Sequence, residues 1–184
     1  MKHCVPLLFL LFSVTLMSCN TKEEENANQS TNEINLNLPQ LDSRFPVLSA
    51  EAENEVTSWQ YFKEFENDLK RINQGNVRDY RAETERMVSV SDSLLKNIPE
   101  NLKTNAISSR MRVLNVRVKL LDETLHQPTV KTDVIAENLK EANTAFSNLI
   151  IQINERFEKQ RIDEMTRFEE NLKRAENNQT TDSL

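Results

Sequence analysis

Ile107, Met111, Leu114, Val118, Leu121 and Leu125 follow one another in steps of four and three. That rhythm lays six apolar side chains along one face of an α-helix. Three other stretches repeat it. Val56, Trp59, Phe62, Phe65, Leu69 and Ile72 define a helix over 49–74, with Ser49 as its cap and Gly75 just past its end. Val77, Tyr80, Thr84, Met87, Ser91, Leu94 and Ile98 define a second over 76–97, with Asn76 as the expected cap. Its seam is softer, because Thr84 and Ser91 interrupt it and Val88 and Leu95 widen it. Pro99 disfavours helical geometry at Ile98 and ends it.

The third helix, 107–125, starts either with Pro99 in its first turn or with Thr104 as cap, and Pro128 closes it. Val113, Val116 and Leu120 add apolar surface beside its seam, so burial on more than one side is expected. A fourth begins between residues 129 and 133. It carries Ile135, Leu139, Ala142, Phe146, Leu149 and Ile153, with Ile150 alongside. No glycine or proline follows, and helical patterning persists to about residue 177. Such a helix would run about 70 Å against about 35 Å for the others. The short connections favour antiparallel neighbours, so the expected fold is all-α: an up-down-up-down four-helix bundle with a C-terminal helix outrunning it. A long coiled-coil hairpin is the competing arrangement.

Composition narrows the choice of chemistry. The 184 residues include one glycine, too few for hairpin turns or for the clustered glycines of Rossmann and P-loop sites. The net charge of −6 argues against nucleic acid, whose phosphates need lysine and arginine. Glu123 and His126 have the Glu-x-x-His spacing of di-iron helices, but such sites need the motif twice, and beyond residue 18 there is one histidine. The expectation is no metal, no cofactor and no enzymatic activity.

The start of the chain has its own pattern. Met1-Lys2-His3 is basic, and residues 5–16 are almost wholly apolar, about 18 Å as a helix and too short for a bilayer core of about 30 Å. Leu16-Met17-Ser18-Cys19 then resembles the lipobox of bacterial lipoproteins. The resemblance implies diacylglycerol on the Cys19 thiol and cleavage before it. Residues 1–18 would be a discarded signal, which carries one lysine and no acid and so leaves a net charge of −7. Cys4 leaves with the signal and Cys19 is consumed, so no thiol remains for a disulfide, metal or nucleophile. Lys22-Glu23-Glu24-Glu25 resembles the surface-export signal of Bacteroidota-type lipoproteins, which implies an outer-membrane anchor with the domain facing outward.

The domain plan is then a signal (1–18), a lipidated tether (19–48), a bundle (49–177) and a loose tail (178–184). Ile34, Leu36, Leu38, Leu41, Phe45, Val47 and Leu48 are apolar positions in the distal tether, expected to lie extended along the bundle. Asp92-Ser93-Leu94 and Asp182-Ser183-Leu184 look like O-glycosylation sequons of the same bacterial group, the terminal copy being the better acceptor.

Two surfaces are candidates for binding. Lys103, Arg110, Arg112, Arg117 and Lys119 occur on the third helix with no acid between Lys103 and Leu121. They are either paired with acids of neighbouring helices or a docking stripe for an unknown acidic protein or glycan. On the fourth helix Phe157, Ile162, Met165, Phe168, Leu172 and Ala175 persist among charges, with Glu155–Lys159, Asp163–Arg167, Glu169–Lys173 and Glu170–Arg174 in favourable i,i+4 order. Residues 34–48 packing over that stripe is the structural expectation; a partner chain, including a second copy, is the functional one. Trp59, Tyr61, Phe62 and Phe65 cluster on the first helix and read as core, with a ligand pocket as the alternative.

Overall fold

The computed structural model describes residues 38–75, 77–129 and 131–181, with side chains through residue 176. Cys19, Lys22, Ile34, Leu36, Asn76 and Ser183 lie outside them. The elements are α1 (Ala50–Thr57), α2 (Phe62–Asn73), α3 (Tyr80–Lys96), a short 3-10 turn (Glu100–Leu102), α4 (Asn105–Leu125) and α5 (Thr132–Thr181). They form an antiparallel bundle in which α1 and α2 together serve as the first helix. Cross-helix partners run in opposite directions along each pair. Thr84 meets Asp122 while Ser91 meets Asn115, and Arg117 meets Glu141 while Thr124 meets Asn138.

The four apolar seams are buried as their spacing predicts, except that Val77 and Ile98 at the two ends of the second are only partly buried. All six residues of the α4 seam and all six of the α5 seam are almost wholly inaccessible. Leu102, in the 3-10 turn, joins them. Thr104 is the cap of α4, its hydroxyl oxygen accepting from Ile107 N at 3.2 Å. Gly75 follows α2 at φ 71°, where any side chain is strained.

Two expectations need correction. The first helix is broken at residues 58–61, with Tyr61 left-handed at φ 72°. The seam still reads through the break, because Val56, Trp59, Phe62 and Phe65 all turn inward. No glycine or proline marks the site, so periodicity runs straight across it. The break aims Trp59 at the end of α3, where its Nε1 donates to the Leu94 carbonyl at 3.2 Å. That carbonyl belongs to the last turn, which Pro99 leaves without a continuing helix. The second correction is the start of α3. Asp79 is its cap, accepting from Arg81 N and Ala82 N, and the helix begins three residues later than an Asn76 cap implies.

The soft seam of α3 has a physical account. Thr84 Oγ1 donates to Asp122 at 2.7 Å, and Asn115 Nδ2 donates to Ser91 Oγ at 2.9 Å and to Asp92 at 2.8 Å. The polar residues of one helix are met by polar residues of the next, which fixes their register. A second buried polar contact links α2 to α5, where Asn73 and Asn143 exchange reciprocal amide bonds at 3.0 and 2.9 Å. Asp68 is fully buried beside Arg71 and Arg86, and its Oδ2 has no protein partner.

Residues 38–48 form a strap along α5. Leu41 N donates to the Asn73 carbonyl, and Leu38, Leu41, Phe45 and Leu48 pack on the core. Phe45 meets Phe146 edge-on at 4.9 Å. Asn154 clamps the strap's end, accepting from Ser49 N at 2.9 Å and donating to the Val47 carbonyl at 2.8 Å.

Replacing Tyr61 with glycine removes the left-handed penalty of about 1–2 kcal/mol, so urea denaturation should show unchanged or higher stability; in an unbroken helix the same change costs about 1 kcal/mol. Asn73→Leu orphans the buried Asn143 amide and should cost about 1–3 kcal/mol. The double change Asn73→Leu/Asn143→Leu should cost less than the two single changes together, a coupling that a double-mutant cycle measures.

Candidate functional site

Two surfaces of the bundle are not explained by packing. The first is the outer face of α4. Burial of Val113, Val116 and Leu120 against a second neighbour is corrected by the structure: they are 38–54% exposed. Ala106, Ser109, Val113, Val116 and Leu120 recur at helical steps on the side away from the seam, and all are exposed. By helical geometry Arg112 and Lys119 border this ridge on one side and Arg110 and Arg117 on the other, while Lys103 precedes the helix.

Pairing divides those cations. Arg117 reaches Glu141 of α5 at 3.3 Å, and Lys119 reaches Asp92 of α3 at 2.8 Å. The Lys119 hydrogen bond, with help from the Asn115 amide, holds the Asp92 carboxyl below the usual range. These two are helix-to-helix contacts. Lys103, Arg110 and Arg112 are exposed and make no ion pair among the described residues. An apolar ridge with two free guanidinium groups beside it can accept an apolar segment that carries carboxylates.

The second surface is the end of α5. Phe157 is partly buried against the core, and every residue from 158 to 176 is exposed. Ile162, Met165, Phe168 and Leu172 are 50–65% accessible. The strap does not cover them. It follows the earlier part of α5, from the level of Asn143 to Asn154, and stops where the extension begins. At that root an open groove of about 900 Å³ is lined by Val47, Leu48, Ile151, Phe157 and Ile162, with Glu51 and Arg161 among its polar residues. Along the extension Glu170–Arg174 closes at 3.8 Å, and Arg161 reaches back to Glu158 at 2.7 Å.

The remaining candidates are structural. Trp59, Phe62 and Phe65 are buried, with Phe62 and Phe65 against Phe146, whereas Tyr61 sits exposed at the helix break. Ser93 lies within α3, its hydroxyl bonded to the Ser89 carbonyl and its neighbour Leu94 fully buried. His126 is the C-terminal cap residue of α4, with Nδ1 2.9 Å from the Asp122 carbonyl and Nε2 2.9 Å from Glu85. Both neighbours are acceptors, so both ring nitrogens serve best as donors and the imidazolium is favoured. The Asp122 carbonyl bond, and then the Asp122 and Glu85 charges, raise its pKa above the ordinary histidine value. Among the described residues no group of three or more His, Cys, Asp or Glu side chains could hold a metal ion. None of the described helices is long and apolar enough to cross a membrane.

Compared with protein-family models, curated proteins and solved structures, the chain matches none.

Sequence reasoning located the cations of α4 but not the ridge between them, because an apolar residue beside a heptad seam reads as extra core. It also passed over Asn154, whose part depends on a strap more than 100 residues earlier.

The sign of the His126 shift fixes a pH dependence. A raised folded pKa gives stabilisation that is complete below the unfolded value near 6.5 and lost as pH rises through the folded one. The melting temperature should fall slightly between pH 6 and pH 8.5, and the fall should vanish in His126→Gln. Because the ring is partly exposed, solvent screening keeps the effect small.

Proposed function

We propose that this chain is a lipid-anchored, non-enzymatic binding module of the bacterial outer membrane, facing outward, that docks a protein partner on the outer face of α4. One observation carries the reading. Val113, Val116 and Leu120 lie exposed on one helix face, with Arg110 and Arg112 at their flanks and without an ion pair among the described residues. Exposed apolar side chains in a row cost solubility and have no packing role here. Guanidinium groups beside such a row supply bidentate donors for carboxylates. A protein segment with acidic and apolar residues meets both requirements; a glycan has little to offer the valine and leucine ridge.

The anchor rests on Leu16-Met17-Ser18-Cys19 and the apolar run before it. The outward orientation rests on Lys22-Glu23-Glu24-Glu25. Acyl chains on Cys19 would hold the chain at the membrane, where an acidic domain gains little from anionic headgroups.

Cys19→Ala should abolish incorporation of labelled palmitate and release the protein from the membrane fraction; retention in that fraction would sink the anchor. Protease added to intact cells should remove the domain, whereas protection would place it on the periplasmic side. A photo-crosslinking residue at Val116 should give a discrete protein adduct in intact cells that disappears in Arg110→Glu/Arg112→Glu. The docking face is rejected if position 116 yields the same adducts as a control at Glu137 on α5, or if the adducts are only glycans.

A further inference from the structure

We infer that two copies of this chain pair side by side, antiparallel, through the part of α5 that leaves the bundle. The surface is an apolar helical face. Met165, Phe168, Leu172 and Ala175 are spaced at three and four residues; Ile162 borders that face on one side, and Phe157, five residues before Ile162 and on the other side, still touches the core. From Glu158 to Thr181 the helix stands about 36 Å clear of its own bundle. A helix alone in water draws little stability from propensity and i,i+4 pairs, so an apolar face of this length calls for a partner.

The apolar residues of the N-terminal segment are too close in the chain to Leu41 to cover Phe168 and Leu172. Leu41 is fixed at the level of Asn73 and Asn143. From there Ile34 reaches at most about 25 Å along the chain and Leu36 less. Phe168 lies about 37 Å further along α5 and Leu172 about 43 Å, both out of reach even with side-chain length added. Between residues 20 and 33 the sole aliphatic side chain is Ala27, so no other part of the tether offers apolar surface.

Charge favours a second copy over a strongly charged partner. Residues 155–176 carry six cations and seven anions, whereas the remainder of the chain carries a net −5. Two such extensions meet without net repulsion and offer no single-signed field to attract something else. The same balance selects the antiparallel arrangement. Parallel pairing stacks Arg161 on Arg161 and Glu158 on Glu158 along the face that Met165 and Phe168 continue. Antiparallel pairing separates both. It also lays the distal end of each α5, around Ala175, toward the outer part of the partner's root groove at Phe157 and Ile162.

The area sets the strength. Four half-exposed large side chains contribute about 400 Å² per copy, and the aliphatic stems of flanking Arg, Lys and Glu bring the pair near the lower edge of the roughly 1,200–2,000 Å² class. An interface of this size belongs with weak, reversible association, which a membrane surface would strengthen by concentrating the copies. This inference stands without the docking face on α4.

Sedimentation of the full chain in mild detergent should show reversible dimers between about 1 and 100 µM. Met165→Glu/Phe168→Glu should shift the constant at least tenfold, with the helical circular dichroism signal retained because both side chains already face solvent. Orientation is read by a short bismaleimide on added cysteines, with the parent chain as control. Ile162→Cys mixed with Ala175→Cys should cross-link, and Ile162→Cys alone should not. A wild-type chain that stays monomeric to 100 µM overturns the pairing. So does a dimer unaffected by the double change, or cross-linking of Ile162→Cys to itself. Adducts only to a protein of different mass would assign the stripe to another partner and equally reject self-pairing.

Discussion

Phe146 is the side chain on which the parts of this bundle converge. It is fully buried midway along the bundled part of α5. Phe62 and Phe65 of α2 stack against it at 5.3 and 5.6 Å, and Phe45 of the strap closes over its edge. Aromatic rings in tilted and edge-on contact bury large areas and favour few geometries. The strap, the broken first helix and the long last helix are therefore held by one cluster. The break at Tyr61 follows from that arrangement. Phe62 faces Phe146 while Trp59 reaches the open carbonyl at the end of α3, one contact on each side of the break.

Around this apolar centre the bundle carries a set of matched polar contacts. Thr84 with Asp122, Ser91 with Asn115, and Asn73 with Asn143 each satisfy a group that burial would otherwise penalise. Heptad seams of similar leucine and isoleucine content can slide by a turn; buried amides and hydroxyls cannot without losing partners. Register is the property these contacts supply, and a defined register makes the outer faces reproducible surfaces.

Those outer faces differ in what they present. The α4 face combines an apolar ridge with cations that lack partners within the bundle. The α5 extension combines an apolar stripe with balanced charges. The strap's clamp at Asn154 sits between bundle and extension, so the point at which α5 becomes free is set by the chain's own N-terminal segment. A tether that follows one end of a bundle and stops at the root of a free helix leaves that helix available.

The order and period of the apolar residues determined the all-α class, the four seams, the Thr104 cap, the Gly75 terminus and the overrun of the last helix. Each of these is local: it depends on residues within a few turns of one another, and periodicity reports it directly. The resemblance of Leu16-Met17-Ser18-Cys19 to a lipobox likewise rests on residue order alone. The tertiary structure decided the break at residues 58–61, which no glycine or proline announces and which arises from contacts with α3 and α5. It decided that Val113, Val116 and Leu120 face solvent, because a helix in a four-helix ring has neighbours on its inner sides alone. It decided which cations of α4 are spent on Glu141 and Asp92 and which stay free. It also sent the strap to Phe146 instead of Met165 and Phe168, a choice between two apolar targets far apart in sequence that only three-dimensional reach resolves.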